Sequence, residues 1–284
     1  MIFDINLRKS TPFQRIVYAV FQIVMVGYAI MVLYPLLNMI LSSFRETREI
    51  LADPFALPTV LRFDNYRRVW GDGRFGLYIW NSLYVTTISM ALVILFGSMA
   101  AFGISRYQYR LSIPIYLIFL SGIMLPLKAA VIPLFLIVRN LGLLNTHLAL
   151  IMVFAAMGLP STVFILAGFM RTIPRDLEDA ARIDGSNDFG IYRRVIMPLS
   201  TASIALVTIY NSVPIWNDFF FPLVFIQRPA LRTLPLGISF FFGQYQVNWA
   251  LIFTALSIAV LPILALYMFM SKYFIKGITA GAIK

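Results

Sequence analysis

Apolar residues fill six long stretches of this chain, at about 16–41, 77–105, 111–138, 148–170, 195–226 and 249–271, and polar residues collect between them. Each stretch exceeds the roughly 20 residues that a helix needs to cross a bilayer. The pattern therefore predicts an all-α, polytopic membrane protein with six transmembrane helices. The first stretch is too long for a signal-peptide core, has no convincing cleavage site and follows Arg8, Lys9 and Arg15, so it is expected to persist as a span. An even number of spans puts both termini on one side. The segments on that side carry more Lys and Arg than those opposite, which predicts cytoplasmic termini. No low-complexity tract, internal repeat or linker interrupts the chain, so residues 1–284 read as a single transmembrane domain.

Prolines inside the apolar stretches mark where helices bend. Pro126 and Pro133 fall in the third, Pro160 in the fourth, Pro214 and Pro222 in the fifth and Pro262 in the sixth. Each removes a backbone hydrogen bond, tolerable in lipid only where the freed carbonyl meets protein or water. The third and fifth helices are thus expected to line a pathway. The outer segments 42–76 and 227–248 hold Pro, Gly and aromatic residues and are expected to carry short helices lying on the membrane, a surface for an external partner.

The polar segment 173–198 has a pattern of its own. Pro174 suits the first turn of a helix, and Asp176, Glu178 and Asp179 put negative charge at the positive end of its dipole. Leu177, Ala180, Ala181 and Asp184 recur at i, i+3, i+4 and i+7, a face of mostly small side chains that can enter another protein's groove. Arg182 is placed to pair with Glu178. Gly185 suits a helix stop, after which 189–195 can start a second short helix, giving a compact knuckle beside the membrane.

Composition agrees with a lipid environment: 60% of residues are hydrophobic, 15% are aromatic and the mean hydropathy is +0.84. The net charge of +11 sits in loops between apolar stretches, where orientation and anionic headgroups account for it, so nucleic acid is not an expected partner. There is no cysteine, no phosphate-binding G-x-x-x-x-G-K-[ST] loop and a single histidine, His147, so no P-loop ATPase and no metal site is expected in this chain. No nucleophile constellation suggests an enzyme. Lys128 and Asp218 are the charged residues well inside predicted spans, at similar depths toward the outer side. Charges there are costly unless paired or wet. They are expected to share a polar cavity, as a direct or water-bridged pair or as separate contacts to a substrate path.

The run Asp179-Ala180-Ala181-x-x-x-Gly185, nine residues, then Val195-x-Met197-Pro198 resembles the E-A-A-x3-G-x9-I-x-L-P signature of the membrane-spanning subunits of binding-protein-dependent ABC importers. Asp stands for Glu, Val for Ile and Met for Leu. Leu125-Pro126-Leu127-Lys128, Ile132-Pro133-Leu134-Phe135, the 141–146 turn, Asn81-Ser82, Trp216-Asn217-Asp218 and Thr279-Ala280-Gly281-Ala282 are similar to carbohydrate-importer permeases of the maltose-permease type. The resemblance implies the type I ABC importer permease fold and a heteromeric machine in a bacterial or archaeal cytoplasmic membrane. Its expected parts are a second homologous permease, two ATPase subunits that carry ATP and Mg, and an extracytoplasmic sugar-binding protein. It further implies that Leu177, Asp179, Ala180, Ala181, Asp184, Gly185 and Pro198 contact the ATPase, with Thr279 to Lys284 as a secondary contact. A carbohydrate, polyol or glycoside is the implied cargo. Asn211 and Asn217 could bond its hydroxyls, and Trp216 and Phe219 to Phe221 could stack on its apolar face. The alternative is a stand-alone transporter driven by an ion gradient, for which Asp218 is the one available intramembrane carboxylate.

Overall fold

The computed structural model of the chain describes residues 11–72, 74–107, 109–242 and 247–282, with side chains beyond Lys272 left out, so that Arg8, Lys9 and the contacts expected of the 279–284 tail lie outside the described set. Helices α1 (Pro12–Ser42), α2 (Thr47–Ala52) and α3 (Asp64–Asp72) come first. α4 (Phe75–Arg106), α5 (Ser112–Met124), α6 (Val131–Asn140) and α7 (His147–Met170) follow, then the short α8 (Asp176–Ile183), α9 (Asp188–Ile191) and α10 (Met197–Leu199). α11 (Thr201–Asn217), α12 (Phe220–Phe225), α13 (Leu234–Ile238), α14 (Trp249–Ala259) and α15 (Leu261–Ala282) complete the chain. Among the described residues there is no strand.

Several helices begin where proline fits. Pro12, Pro198, Pro235 and Pro262 occupy the first or second position of their helices, where the missing N–H costs nothing. Thr11 caps α1 by accepting from Gln14 N, while the Gln14 side chain returns to Thr11 N, a capping box that frees neither end.

The third and fifth apolar stretches are not single helices. α5 stops at Met124, and residues 125–130 turn through Pro126 before α6 starts. Pro126 cannot donate and disfavours a helical residue before it, so the break falls there. α11 ends at Asn217, three residues after Pro214, and restarts as α12. At its other end the expected span 195–226 is bent by 75° between the 188–199 stretch and α11. α7, in contrast, runs through Pro160 unbroken. Among the described residues, four helical runs are therefore long and apolar enough to cross a membrane alone, Pro12–Ser42, Phe75–Arg106, His147–Met170 and Trp249–Lys272, and a fifth if the bent pair counts as one. The expected count of six needs α5 and α6 to share the third crossing.

Two compact units arise, Met1–Val69 with Phe241–Ile258, and Trp70–Phe240 with Ala259–Lys284. The first is knit by polar groups. Buried Arg45 donates to the carbonyls of Glu49 and Asp53, both at 2.7 Å, and Asn65 donates to those of Ser43 and Arg45. Thr254 Oγ1 donates to Ser43 O. Apart from Ser42, α1 buries nothing fully, and its Phe13, Ile23 and Met31 are more than two-thirds exposed, as suits a helix sided by lipid or another subunit.

The second unit is built on α4 against α7, with α5 and α11 beside them. Small residues set the separation. A β-carbon on Gly158 of α7 would lie 2.7 Å from Val93 Cγ2 of α4, and one on Gly97 of α4 would collide with Thr162 of α7. Each helix thus notches the other, the way membrane helices gain contact when lipid removes any hydrophobic drive to associate. Polar caps fasten the chain outside: Asn81 donates to the carbonyls of Ala230 and Arg232, and Asn145, at φ +58°, accepts from the N–H groups of Gln227 and Arg228. The notches predict that Gly158→Val and Gly97→Val each destabilise the detergent-solubilised protein by about 1–3 kcal/mol. Gly103→Ala, with open space at its β-carbon, should change the melting temperature little; equal losses at all three would show that the notches are not what sets the packing.

Candidate functional site: the knuckle and the polar cavity

The 173–198 segment folds as a knuckle. α8 carries Asp176, Glu178 and Asp179 in its first turn and Arg182 in its last, in harmony with its dipole. It ends in a Schellman turn: Gly185 has φ +81°, its N–H reaches Arg182 O at 3.0 Å, and Ser186 N reaches Ala181 O at 2.9 Å. The next helix starts at once, because the Asn187 side chain accepts from Gly190 N at 2.8 Å. Tyr192–Ile196 then forms one π-helical turn, and Tyr192 O–H meets Ser98 of α4 at 2.7 Å inside the core.

The expected pairing of Arg182 with Glu178 is replaced by two others. Arg182 Nη2 reaches Asp188 Oδ1 at 2.8 Å across the turn, and Glu178 is buried against Arg106, the last residue of α4. Arg106 Nε lies 2.8 Å from Glu178 Oε1 with side chains 4% and 10% exposed, a contact of charges rather than an aligned hydrogen bond. Arg106 Nη2 also donates to Ile173 O at 3.1 Å. The reason lies in the face: Glu178 is one turn from Ala181, and Ala181 packs inward on the cluster of Phe102, Leu166, Met170, Ile191 and Ile196. Tyr107, next to Arg106, donates to Asp188, and this bond with nearby Arg182 holds the Asp188 carboxyl below its usual range.

The predicted docking face therefore divides. Ala181 turns to the protein's own core, whereas Leu177, Asp179, Ala180, Asp184, Gly185 and Pro198 are exposed. Ile183 at 87% and Phe189 at 61% exposure join them. Sequence reasoning missed these two, and also Arg106, whose partner Glu178 lies 72 residues further along the chain.

A cavity of about 630 Å³ opens where the α5–α6 and α11–α12 breaks face α7, and Lys128, Asn211, Asn217, Asp218, Phe219 and Phe220 are among its walls. Lys128 and Asp218 meet there, Nζ to Oδ2 at 3.7 Å, with Lys128 65% and Asp218 7% exposed. The Lys128 amino group also stands 5.8 Å from the centre of the Phe220 ring. Asp218 Oδ1 accepts from Phe221 N at 2.8 Å, so the carboxylate that ends one helix starts the next. Asn211 is occupied: it donates to Thr162 Oγ1 and Val207 O and accepts from Ser161, which makes it a tie between α11 and α7. Trp216 is buried outside the cavity, its Nε1 donating to Ala259 O at 3.1 Å. Phe221 lies in the core, stacked on Phe225 and edge-to-face with Phe154. His147 binds Leu231 O, and no group of three or more metal-ligating residues occurs among the described residues.

The loose geometry of the Lys128–Asp218 pair predicts a modest coupling, about 0.5–1 kcal/mol, because Lys128 keeps much of its hydration. Lys128→Met and Asp218→Asn should each lower assembly yield, Asp218→Asn less because the buried carboxylate is the costly partner to strand. The double variant should be better than the worse single. A double-mutant cycle on melting temperature that closes additively would dissolve the pair.

Comparison with known proteins places this architecture. A family model described as "binding-protein-dependent transport system inner membrane component" matches residues 93–280. The diacetylchitobiose uptake system permease protein of Streptomyces coelicolor is 32% identical over 98% of this chain and 92% of its own length. The multiple sugar-binding transport system permease protein of Streptococcus mutans is 33% identical over 90% and 93%. A chain of the crystal structure of a bacterial ABC transporter that imports the acidic polysaccharide alginate superposes with a TM-score of 0.81 at 23% identity, covering 93% of this chain and 99% of that one. The knuckle lies wholly within the matched region. The chain belongs to the family of inner membrane components of binding-protein-dependent transport systems.

Proposed function

We propose that the chain is the permease subunit of an ATP-driven importer of carbohydrate, an oligosaccharide or glycoside, and that the 173–198 knuckle is where a separate ATPase subunit drives it. Relatives named for diacetylchitobiose, arabinooligosaccharides and melibiose, raffinose and stachyose support the cargo class. The observation that carries the coupling role is the exposure of Leu177, Ile183 and Phe189 on a polar segment held rigidly from behind. Apolar side chains presented in this way cost nothing once another protein covers them. ATP and Mg belong to that partner, since this chain has no phosphate-binding loop. A second permease, a second ATPase and an external sugar-binding protein complete the assembly, with both termini and the knuckle on the cytoplasmic side.

In this reading Lys128, Asn217 and Asp218 flank the route of the sugar, and Asn211 and Trp216 brace the helices behind it. Family membership favours this over a stand-alone ion-coupled carrier. The test is transport in proteoliposomes that hold the partner subunits. Gly185→Pro cannot adopt φ +81°, and Ala181→Trp overfills the contact with Ile191 and Phe102. Each should reduce uptake below about a tenth of the wild-type rate, the energetic equivalent of 1.4 kcal/mol or more, with the chain still inserted. Wild-type uptake by either variant in an intact assembly would remove the knuckle from the coupling path.

A further inference from the structure

A second cavity, of about 760 Å³, lies between the end of α4, the start of α5 and the chain leaving α7. Its walls include Arg106, Tyr109, Ile113, Arg171, Pro174 and Arg175, and none of its lining residues is acidic. Arg106 is neutralised by Glu178 from outside the lining. Arg171 and Arg175 make no ion pair among the described residues, and no carboxylate lines the cavity with them. Arg171 is already oriented: its guanidinium carbon lies 5.0 Å from the centre of the Tyr116 ring. A cation held against an aromatic face keeps its in-plane N–H donors free, the fork that matches two oxygens of a phosphate.

The side of the cavity formed by α5 carries apolar side chains. Ile113 is 71% exposed at the start of α5 and Leu117, one turn further along that helix, is 53% exposed. A bare inorganic anion has no use for this strip, and an acidic protein side chain would not extend along it. A phospholipid fits both parts, with its phosphate at the arginines and an acyl chain along Ile113 and Leu117. We propose that this cavity binds a phosphate-bearing anion, the headgroup of an anionic phospholipid, at the foot of the knuckle. The site rests on the chain being a membrane component, as its family is, and not on the coupling role of α8.

Occupancy of this kind would reinforce the join between α7 and α8, because Arg171 and Arg175 bracket the turn at Thr172–Pro174. The test uses the purified assembly with whatever subunits accompany it, in nanodiscs of phosphatidylcholine with and without phosphatidylglycerol, followed by native mass spectrometry of retained lipid. Phosphatidylglycerol should be retained in preference to phosphatidylcholine. Arg171→Gln with Arg175→Gln should weaken that retention roughly 30-fold, at about fivefold for each arginine near a membrane surface. The control removes the same charge from exposed Arg193 and Arg194 of the same polar segment and should change retention little. Replacing Arg171 and Arg175 by lysine should restore most of the binding, which separates lost charge from lost folding. Equal losses in the two glutamine doubles would reduce the effect to diffuse surface charge and overturn the site. Displacement of the lipid by millimolar inorganic phosphate, or absence of lipid whenever an ATPase subunit is bound, would overturn the headgroup assignment.

Discussion

One buried ion pair decides how the polar segment can move. Arg106 closes a 32-residue helix and Glu178 opens an eight-residue one, and the two meet with almost no access to water. Taking two charges out of water costs several kcal/mol for each, and their attraction repays this only while they remain together. Such a pair adds little to stability against an apolar replacement. It does impose a geometry, since separation leaves a bare charge in the interior. Arg106 is fixed further by Ile173 O, and Tyr192 is held to Ser98 of the same long helix, so α4 grips the knuckle on both sides of Gly185. The exposed Leu177, Ile183 and Phe189 thus stand on a segment tied to α4, and α4 is notched against α7 at Gly97 and Gly158. On the proposed function, that is the route of the work done by ATP.

The broken helices serve the other end. A continuous apolar helix satisfies its backbone groups along its own ladder, whereas the breaks at 125–130 and at Asp218 interrupt that ladder beside the cavity through which, on the proposed function, the sugar passes. Lys128 and Asp218 sit at these two breaks and face one another. Their near neutrality as a pair lets charge persist within an apolar span without a free ion, beside uncharged lining groups that include Asn217, Phe219 and Phe220.

Much of this was legible in the chain. Four of the apolar stretches, the helix stop at Gly185 and the meeting of Lys128 with Asp218 follow from periodicity, turn chemistry and the cost of charge in lipid, while the third and fifth stretches are broken or bent rather than single spans. What stayed hidden was tertiary. Local spacing put Arg182 beside Glu178, but a residue 72 positions away took that glutamate, because the inward face of α8 is settled by Ala181 packing on α4 and α7 rather than by helical neighbours. Trp216 looked available to a ligand because aromatic type does not reveal direction, and its N–H was already committed to Ala259 O. Asn211 does line the cavity, but its three bonds to α7 and α11 are invisible in sequence. The extent of the Pro126 break was also out of reach, as a proline signals a bend without saying whether the helix resumes in one residue or six.

If force reaches the spans through the Arg106–Glu178 clamp, breaking the clamp must lower the sugar moved per ATP hydrolysed in reconstituted proteoliposomes. Glu178→Gln leaves Arg106 buried without a counter-charge, so the account predicts hydrolysis that continues while transport per ATP falls at least tenfold, with Arg106→Met and Glu178→Met together recovering much of the loss. Wild-type transport per ATP in the Glu178→Gln assembly would contradict the account.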